Sequence, residues 1–311
     1  MKYSRLIWIV FFCIECGFLF AQEPLRIICY NVENLFDYEH DTLKNDYSFL
    51  PDGDHHWTYH KYQTKLDQIA RVIVNISGWE SAALVGLCEV ENARCLRDLC
   101  YRLKRFHYQY VHYESGDERG IDVALLYDST KVKVLDSKPL RVDLNEDNTR
   151  DILYVKTLLH ERDTLHVMVC HLPSRLGGGA ATEWKRLKAK QVIQQQIDSV
   201  LHYQPQAQIV IMGDMNDEAK NDLSGMSNQM IAMERVGQGT HKYQGIWSCL
   251  DQFYVSEKMK ERCVVQIYSP EWLLEEDTKY LDYQPNRTFV GFRYHGGYSD
   301  HMPIVLQLMS K

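Results

Sequence analysis

Near the end of this 311-residue chain, Ser299-Asp300-His301 stands directly ahead of an apolar run, Met302 to Leu306. An acid and an imidazole side by side at the mouth of a strand can hold a metal ion and move a proton. Similar placements recur upstream. Asn31 follows the run from Leu25 to Tyr30, Glu89 follows Ala83 to Cys88, and His171 follows Met168-Val169-Cys170. Asp214 and Asn216 follow Ile209 to Met212, and Asp251 enters the run from Leu250 to Val255. Each has an ordinary structural role open to it: Glu89 as a helix-capping acid, His171 as a satisfied core histidine, Asp214 as a turn former after Gly213. The repetition shifts the balance, because strand ends in one sheet share an edge.

The elements that must position these residues are many short strands and a few helices. Alternating or continuous apolar runs predict strands over 25–31, 83–88, 107–113, 121–127, 131–136, 151–160, 163–171, 208–212, 250–255 and 302–308. A polar turn, Glu161-Arg162-Asp163, divides two of them. Tyr62, Leu66, Ile69, Ala70 and Ile73 recur at helical spacing and predict an amphipathic helix over 60–76. Asn92 is placed to cap a helix running to about Lys104. A third helix over 182–203 starts at Thr182, after a Gly177-Gly178-Gly179 hinge. Asp37 to Trp57 is long and polar, with a turn at Pro51-Asp52-Gly53, and reads as a surface loop over the site or a disordered flap. Its Asp52, Asp54, His55 and His56 show no regular ligand spacing, so they read as turn residues. This pattern predicts an α+β layered sandwich, and with no linker to divide it, one domain over 22–311.

The apolar share of 45% and charged share of 25% exclude a disordered chain. Residues 1–21 have a secretory signal's pattern: Lys2 and Arg5, an apolar stretch from Leu6 to Phe20, and an acceptable cleavage end at Ala21. Glu15 interrupts that stretch, which is also shorter than the ~20 apolar residues of a membrane span. Cys13 and Cys16 lack the small neighbours of a lipoprotein signal. The expected location is therefore secreted or periplasmic, without a stable membrane span, and the expected state is a monomer. The signal carries +1, so the remainder carries −8. That balance argues against a general nucleic-acid coat, but not against a nuclease whose metal supplies positive charge. Seven cysteines remain after Ala21, none in a C-x-x-C pair. An odd count with no zinc-knuckle spacing predicts few disulfides or none.

Five segments carry a more specific signal: Tyr30-Asn31-Val32-Glu33-Asn34-Leu35-Phe36, Leu87-Cys88-Glu89-Val90, Cys170-His171-Leu172-Pro173-Ser174, Gly213-Asp214-Met215-Asn216-Asp217 and Tyr298-Ser299-Asp300-His301-Met302-Pro303. In this order they resemble the endonuclease/exonuclease/phosphatase superfamily, with its deoxyribonuclease-I-like fold, across nearly all of residues 22–311. The resemblance implies a four-layer α/β/β/α sandwich of two packed mixed β-sheets flanked by helices, and divalent-metal-dependent hydrolysis of phosphate esters. It implies Mg²⁺, with Mn²⁺ as a substitute, held by Glu89 with Asn31 and Asp300 beside it; a hard cation prefers such oxygen ligands. Asn216 and Asn31 would donate amide hydrogen bonds to phosphate without adding a titrating group. Asp214 would orient or activate the attacking water, and His301, oriented by Asp251, would be the general base. His171 would donate to the scissile phosphate, with Asp122 of Gly120-Ile121-Asp122-Val123 as its partner.

Substrate choice belongs to loops. His171 to Arg175, the glycine triplet, Trp184-Lys185-Arg186, Thr240 to Gly245 and Arg287 to Gly297 resemble an exported bacterial branch of the superfamily. Arg175, Arg186 and Lys242 are the candidates for binding phosphate, while solvated surface charge is the simpler reading of Lys188 and Lys190. The expected function is an exported nuclease on DNA or RNA. The alternatives are a phosphatase or phosphodiesterase on inositol phosphates or another small phosphoester, and a catalytically inactive phosphate-binding protein.

Overall fold

The computed structural model describes residues 24–145, 147–160 and 163–309. The signal-like segment 1–21, and Glu161 and Arg162 of the predicted turn, lie outside the described residues. In chain order the strands are β1 Leu25–Leu35, β2 Leu84–Val90, β3 Tyr108–His112, β4 Asp122–Asp128, β5 Val132–Leu140, β6 Ile152–Leu159, β7 Asp163–His171, β8 Gln208–Asp214 and β9 Met226–Asn228. They continue as β10 His241–Tyr243, β11 Ile246–Ser248, β12 Asp251–Ser256, β13 Cys263–Ile267, β14 Leu274–Asp277, β15 Asp282–Pro285, β16 Phe289–Val290, β17 Arg293–Tyr294 and β18 Ile304–Leu308. The α-helices are α1 Tyr59–Ser77, α2 Ala93–Arg102, α3 Gly179–Tyr203 and α4 Ile231–Arg235.

Two six-stranded mixed sheets dominate, ordered β13-β18-β1-β2-β4-β3 and β5-β6-β7-β8-β12-β9. Period-two alternation builds the layers. Ile27 and Cys29 of β1 face the second sheet, in one apolar layer with Val167, Val169, Val210, Met212 and Phe253. Ile28 and Tyr30 face the other way, onto Leu66, Ile69 and Ile73 of α1 and Leu96 and Leu99 of α2. On the far side, Met168, Cys170, Ile209 and Ile211 pack against Ile193 and Ile197 of α3. The result is helix, sheet, sheet, helix, the four-layer sandwich that the resemblance implied.

The helices begin where local chemistry lets them. Asn92 accepts from the backbone N–H groups of Arg94 and Cys95, capping α2. Helix α3 starts at Gly179, three residues ahead of the Thr182 start, so the glycine triplet forms the helix entry and not a free hinge. The Asp37 to Trp57 segment is neither a flap nor a plain surface loop. Trp57 is fully buried and donates through Nε1 to the Phe36 carbonyl at 2.9 Å, while Phe36 stacks on Phe49 at 4.2 Å. Two buried aromatics of this polar-looking stretch, Phe49 and Trp57, packed with Phe36 just before it, supply enough apolar area to fix it, at about 1.5–3 kcal/mol per buried ring. The seven cysteines from Cys29 to Cys263 are free thiols.

Topology brings the chemistry-bearing residues to one end of the sandwich. β1 and β2 are parallel in one sheet, as are β7 and β8 in the other, so Asn31, Glu89, His171 and Asp214 lie in the carboxyl-terminal halves of these strands, with His171 in register with Asp214. β12 runs antiparallel to β8 and places Asp251 opposite Asp214. β18 runs antiparallel to β1, so Asp300 and His301 enter from the edge that β1 leaves.

Candidate active site

Backbone conformation aims the first groups. Glu89 sits at a register shift between β2 and β4 with φ +67°, and Asn216 has φ +47°. Glu33 and Asn34, at the end of β1, are also left-handed, at +52° and +58°. Non-glycine residues in this region are uncommon, and strained backbone of this kind concentrates at functional sites. Gly213 has φ +146°, and a Cβ there would lie 1.8 Å from the Cys170 carbonyl oxygen, so only glycine lets β8 deliver Asp214 so close to β7. Gly297 likewise closes against Asn286 and Arg287, where a Cβ would lie 2.1 Å from Asn286 Oδ1. The glycine pair before Ser299 therefore permits close packing of the loop.

The side chains meet around two carboxylates. The Asn31 amide donates to Asp214 Oδ2 at 3.1 Å and to Glu89 Oε1 at 3.4 Å. Glu89 Oε2 accepts from the Asn34 N–H at 2.9 Å. Asp214 Oδ1 accepts from the Asn216 N–H at 2.8 Å, and the Asn216 amide donates to the Leu172 carbonyl at 3.0 Å. His171 Nε2 lies 3.5 Å from Asp214 Oδ2 and 3.8 Å from Glu89 Oε1; His301 Nε2 lies 3.8 Å from Asp214 Oδ2 and 4.0 Å from Asp300 Oδ1. His301 Nδ1 is 2.6 Å from Asp251 Oδ2, and its backbone N–H donates to Ser299 Oγ at 3.1 Å. A cavity of about 470 Å³ opens over Glu89, His171, Asp214, Asn216 and His301.

Burial sets the charge states. It lowers the pKa of His301, but Asp251, Asp214 and Asp300 outweigh it and hold that imidazole well above its usual value. His171 is pushed well below, by burial first and then by Arg150, Arg119 and His301. Asp214 is raised to about 6, by burial and by Asp251 and Glu89, against the pull of His301. Asp300 is held low: burial raises it, and His301, His241, Arg287 and Lys65 together lower it further.

Four expected placements differ. Asp122 does not reach His171. It faces His112 Nε2 at 3.7 Å and accepts from the Ser115 N–H, while His171 Nδ1 is buried with no hydrogen-bond partner. The antiparallel start of β4 turns Asp122 toward β3. Arg186 is buried and donates to Thr182 Oγ1 and the Gly179 carbonyl, bracing the first turns of its own helix. Lys242 is buried among Asp282, Asp277 and the Tyr283 carbonyl. Both cations are consumed internally. Lys190, read as solvated, instead bridges Asp217 and Asp222. Arg175 remains near the cavity, donating to the Asn216 carbonyl and to Asp217.

The structure adds groups that the sequence reading missed. Arg150 donates to the His171 and Leu172 carbonyls and pairs with Asp117 at 2.9 Å, while Arg119, Lys185 and Ser174 line the cavity wall. Arg150 had a signal: it precedes β6, which is antiparallel to β7, so a residue before one strand meets the residue after the other. His241 lies beside His301, ring centroids 4.8 Å apart, and groups with Asp300 and His301 as a possible metal cluster. Lys65 is fully enclosed and donates to Thr288 Oγ1 and the Tyr298 carbonyl, tying α1 to the loop before Asp300.

Two mixed sheets in a four-layer sandwich, with acids, amides and two histidines drawn from both sheets to one end of the sandwich, define a hydrolase of the deoxyribonuclease-I-like class. The chain belongs to the endonuclease/exonuclease/phosphatase family, whose model matches residues 26–310. Members hydrolyse phosphoester bonds and generally use divalent metals. Solved structures share the fold. Truncated Caenorhabditis elegans TDP2 aligns at 14% identity and a TM-score of 0.60, over 92% of this chain and 98% of that one. The catalytic domain of human Nocturnin with bound sulfate aligns at 14% and 0.57, over 91% and 93%. A Bacteroides vulgatus member of the family aligns at 16% and 0.57, over 92% and 99%. No curated protein matches the sequence.

Proposed function

We propose that the protein is an exported bacterial phosphodiesterase, a nuclease acting on DNA or RNA with Mg²⁺, for which Mn²⁺ can substitute. The observation that carries this reading is the convergence of Glu89 and Asp214 on one Asn31 amide, beside a cavity whose wall bears Arg119, Arg150 and Lys185. That set fits a hard divalent cation through its carboxylate oxygens, with room for water; the Asn31 oxygen is taken by the Glu33 N–H. Glu89 would hold the ion, with Asn31 and Asp300 beside it. When bound, it polarises the phosphoryl oxygen and stabilises the leaving oxygen.

The remaining steps belong to the chain. Asp214, raised toward neutrality, is suited to take the proton of the attacking water. His301, paired with Asp251 and held well above its usual pKa, takes up a proton readily, as a general base, and as the imidazolium would stabilise phosphate charge. His171 rests neutral, fixed through its carbonyl by Arg150. Asn216 holds the cavity floor through Leu172.

The inward placement of Arg186 and Lys242 favours the second reading, a small phosphoester, because it leaves fewer cations for a long polymer. A substrate panel decides. Residues 22–311 should cleave plasmid DNA or RNA with Mg²⁺ and lose that activity in EDTA. Cleavage of inositol phosphates alone would overturn the nuclease reading, and full activity in EDTA would overturn the metal.

A further inference from the structure

Outside the active site, the most unusual group of side chains lies where β3 meets β4. His112 ends β3 and is in register with Ala124; Asp122 opens β4 two residues earlier, and therefore lies on the same face. The His112 side chain is 4% exposed and Asp122 is 2% exposed. His112 Nε2 and Asp122 Oδ1 have no hydrogen-bond partner. Nε2 nonetheless points at the carboxylate, 3.7 Å from Asp122 Oδ2. Glu114, on the outer side, brings a second carboxylate 3.9 Å from His112 Nδ1. One ligand atom from each of the three residues lies within 4.8 Å of the others.

Enclosed polar atoms without partners cost free energy, and two neighbouring acids add repulsion. The nearby cation does not resolve this. Lys44 Nζ is spent on the Ser115 and Asp117 carbonyls, at 2.7 and 3.0 Å. Burial drops the His112 pKa to about 4, so its ring is neutral and one of its two nitrogens carries a free lone pair.

We propose that His112, Glu114 and Asp122 form a second divalent-cation site, separate from that of Glu89, for a transition ion of the zinc or manganese class. Imidazole with two carboxylates is a donor set for such ions rather than for Mg²⁺. Bonds of about 2.0–2.2 Å put two donors on one ion roughly 3–4 Å apart, so the 3.7 Å between Nε2 and Oδ2 fits one ion, and a rotation of the exposed Glu114 side chain completes the set. The Ser115 N–H, donating to Asp122 Oδ2 at 3.3 Å, orients the carboxylate from outside.

The site closes the base of the 113–121 loop. That loop carries Asp117, which holds Arg150 against the His171 and Leu172 carbonyls, and Arg119, on the cavity wall. An ion here would fasten the loop that presents both groups to the substrate without itself touching substrate.

The test uses the Glu89→Gln protein, to weaken the catalytic site, titrated with Zn²⁺ and with Mn²⁺ by calorimetry and by metal analysis after dialysis. One equivalent that depends on His112 should bind, apart from any held by His241, Asp300 and His301. Adding His112→Gln should weaken it at least about tenfold, and so should adding Glu114→Gln, an exposed side chain whose loss does not threaten folding. Zn²⁺ should also slow amide exchange in residues 113–121, and that slowing should disappear with Glu114→Gln. If His112→Gln fails to fold, Glu114→Gln and the exchange pattern decide. No bound ion, or an ion whose affinity neither substitution changes, would overturn the site.

Discussion

Asp214 has a histidine on each side, at nearly the same distance: His171 at 3.5 Å and His301 at 3.8 Å. The two differ in what stands behind them. His301 has Asp251 at 2.6 Å, and Thr240 Oγ1 accepts from the Asp251 backbone N–H. His171 has no partner at Nδ1, and it faces Arg150 and Arg119 instead. Two identical side chains, one from each sheet, are thus driven in opposite directions, His301 toward the imidazolium and His171 toward the neutral ring. Residue type sets what a site can do, and the layer behind it decides which group carries the charge.

The largest effect should come from Glu89, the carboxylate that shares the Asn31 amide with Asp214. Glu89→Gln keeps shape and removes a charge, and it should lower hydrolysis by about 10³-fold or more, with EDTA doing the same to the parent protein. Next come the histidines. Asp251→Asn and His301→Ala should each lower kcat by roughly 10²–10⁴-fold. The double variant should be little worse than the worse single one, because members of one catalytic unit are not additive. His171→Ala should also cost activity, but no carboxylate substitution should reproduce its loss. If Asp122→Asn did so in assays with Mg²⁺ as the sole divalent cation, the unpartnered state of His171 would be wrong. Melting temperatures separate these losses from unfolding.

The side around His301 was more legible in the sequence than the side around His171. Asp251 and Asp300-His301 each adjoin an apolar run, so the strand-end rule found them, and Glu89, His171 and Asp214 by the same logic. The layers followed from period-two alternation in runs such as Ile27 to Tyr30. The rule failed where a group approaches from before an antiparallel strand, as Arg150 does, or where a matching type points elsewhere, as Asp122 does. Spacing also could not tell a phosphate-binding cation from one spent inside: Arg186 and Lys242 look exposed in sequence, and only packing shows their partners. The short hairpins β10–β11, β14–β15 and β16–β17 escaped because runs of two to four residues carry no periodicity.

The charge difference should also appear in folding stability without metal. The folded pKa of His301 lies above the usual 6.5, so the folded state binds that proton more tightly. Its contribution is full below about pH 6.5 and is lost as pH rises through the raised folded value. For His171 the folded value lies below 6.5, so protonation favours the unfolded chain, and stability from this group rises with pH up to about 6.5. In EDTA, denaturant midpoints from roughly pH 5 to 8 should show His171→Gln losing less stability on acidification than the parent. Asp251→Asn should lose more. Parallel profiles for the two variants would erase the distinction between the histidines.

The smallest effect concerns the cavity wall on the His171 side. Arg119 lines the cavity and is half exposed, with Asp117 3.9 Å from its Nε, so its guanidinium is available to a phosphate beyond the scissile one. Arg186 is not, and Arg186→Ala should lower the melting temperature more than it alters the salt dependence of DNA binding. Each phosphate contact to duplex DNA contributes about 0.9 to the slope of log affinity against log salt. Arg119→Ala in a protein also carrying Glu89→Gln, which binds without cutting, should therefore flatten that slope by about 0.9. In an otherwise unaltered protein it should leave hydrolysis of a small chromogenic diester within about twofold, because a contact outside the scissile phosphate is absent from that substrate. Equal loss on both substrates would instead place Arg119 on the scissile phosphate. An unchanged slope with undiminished DNA cleavage would move the polymer contact to Lys185, which also lines the cavity.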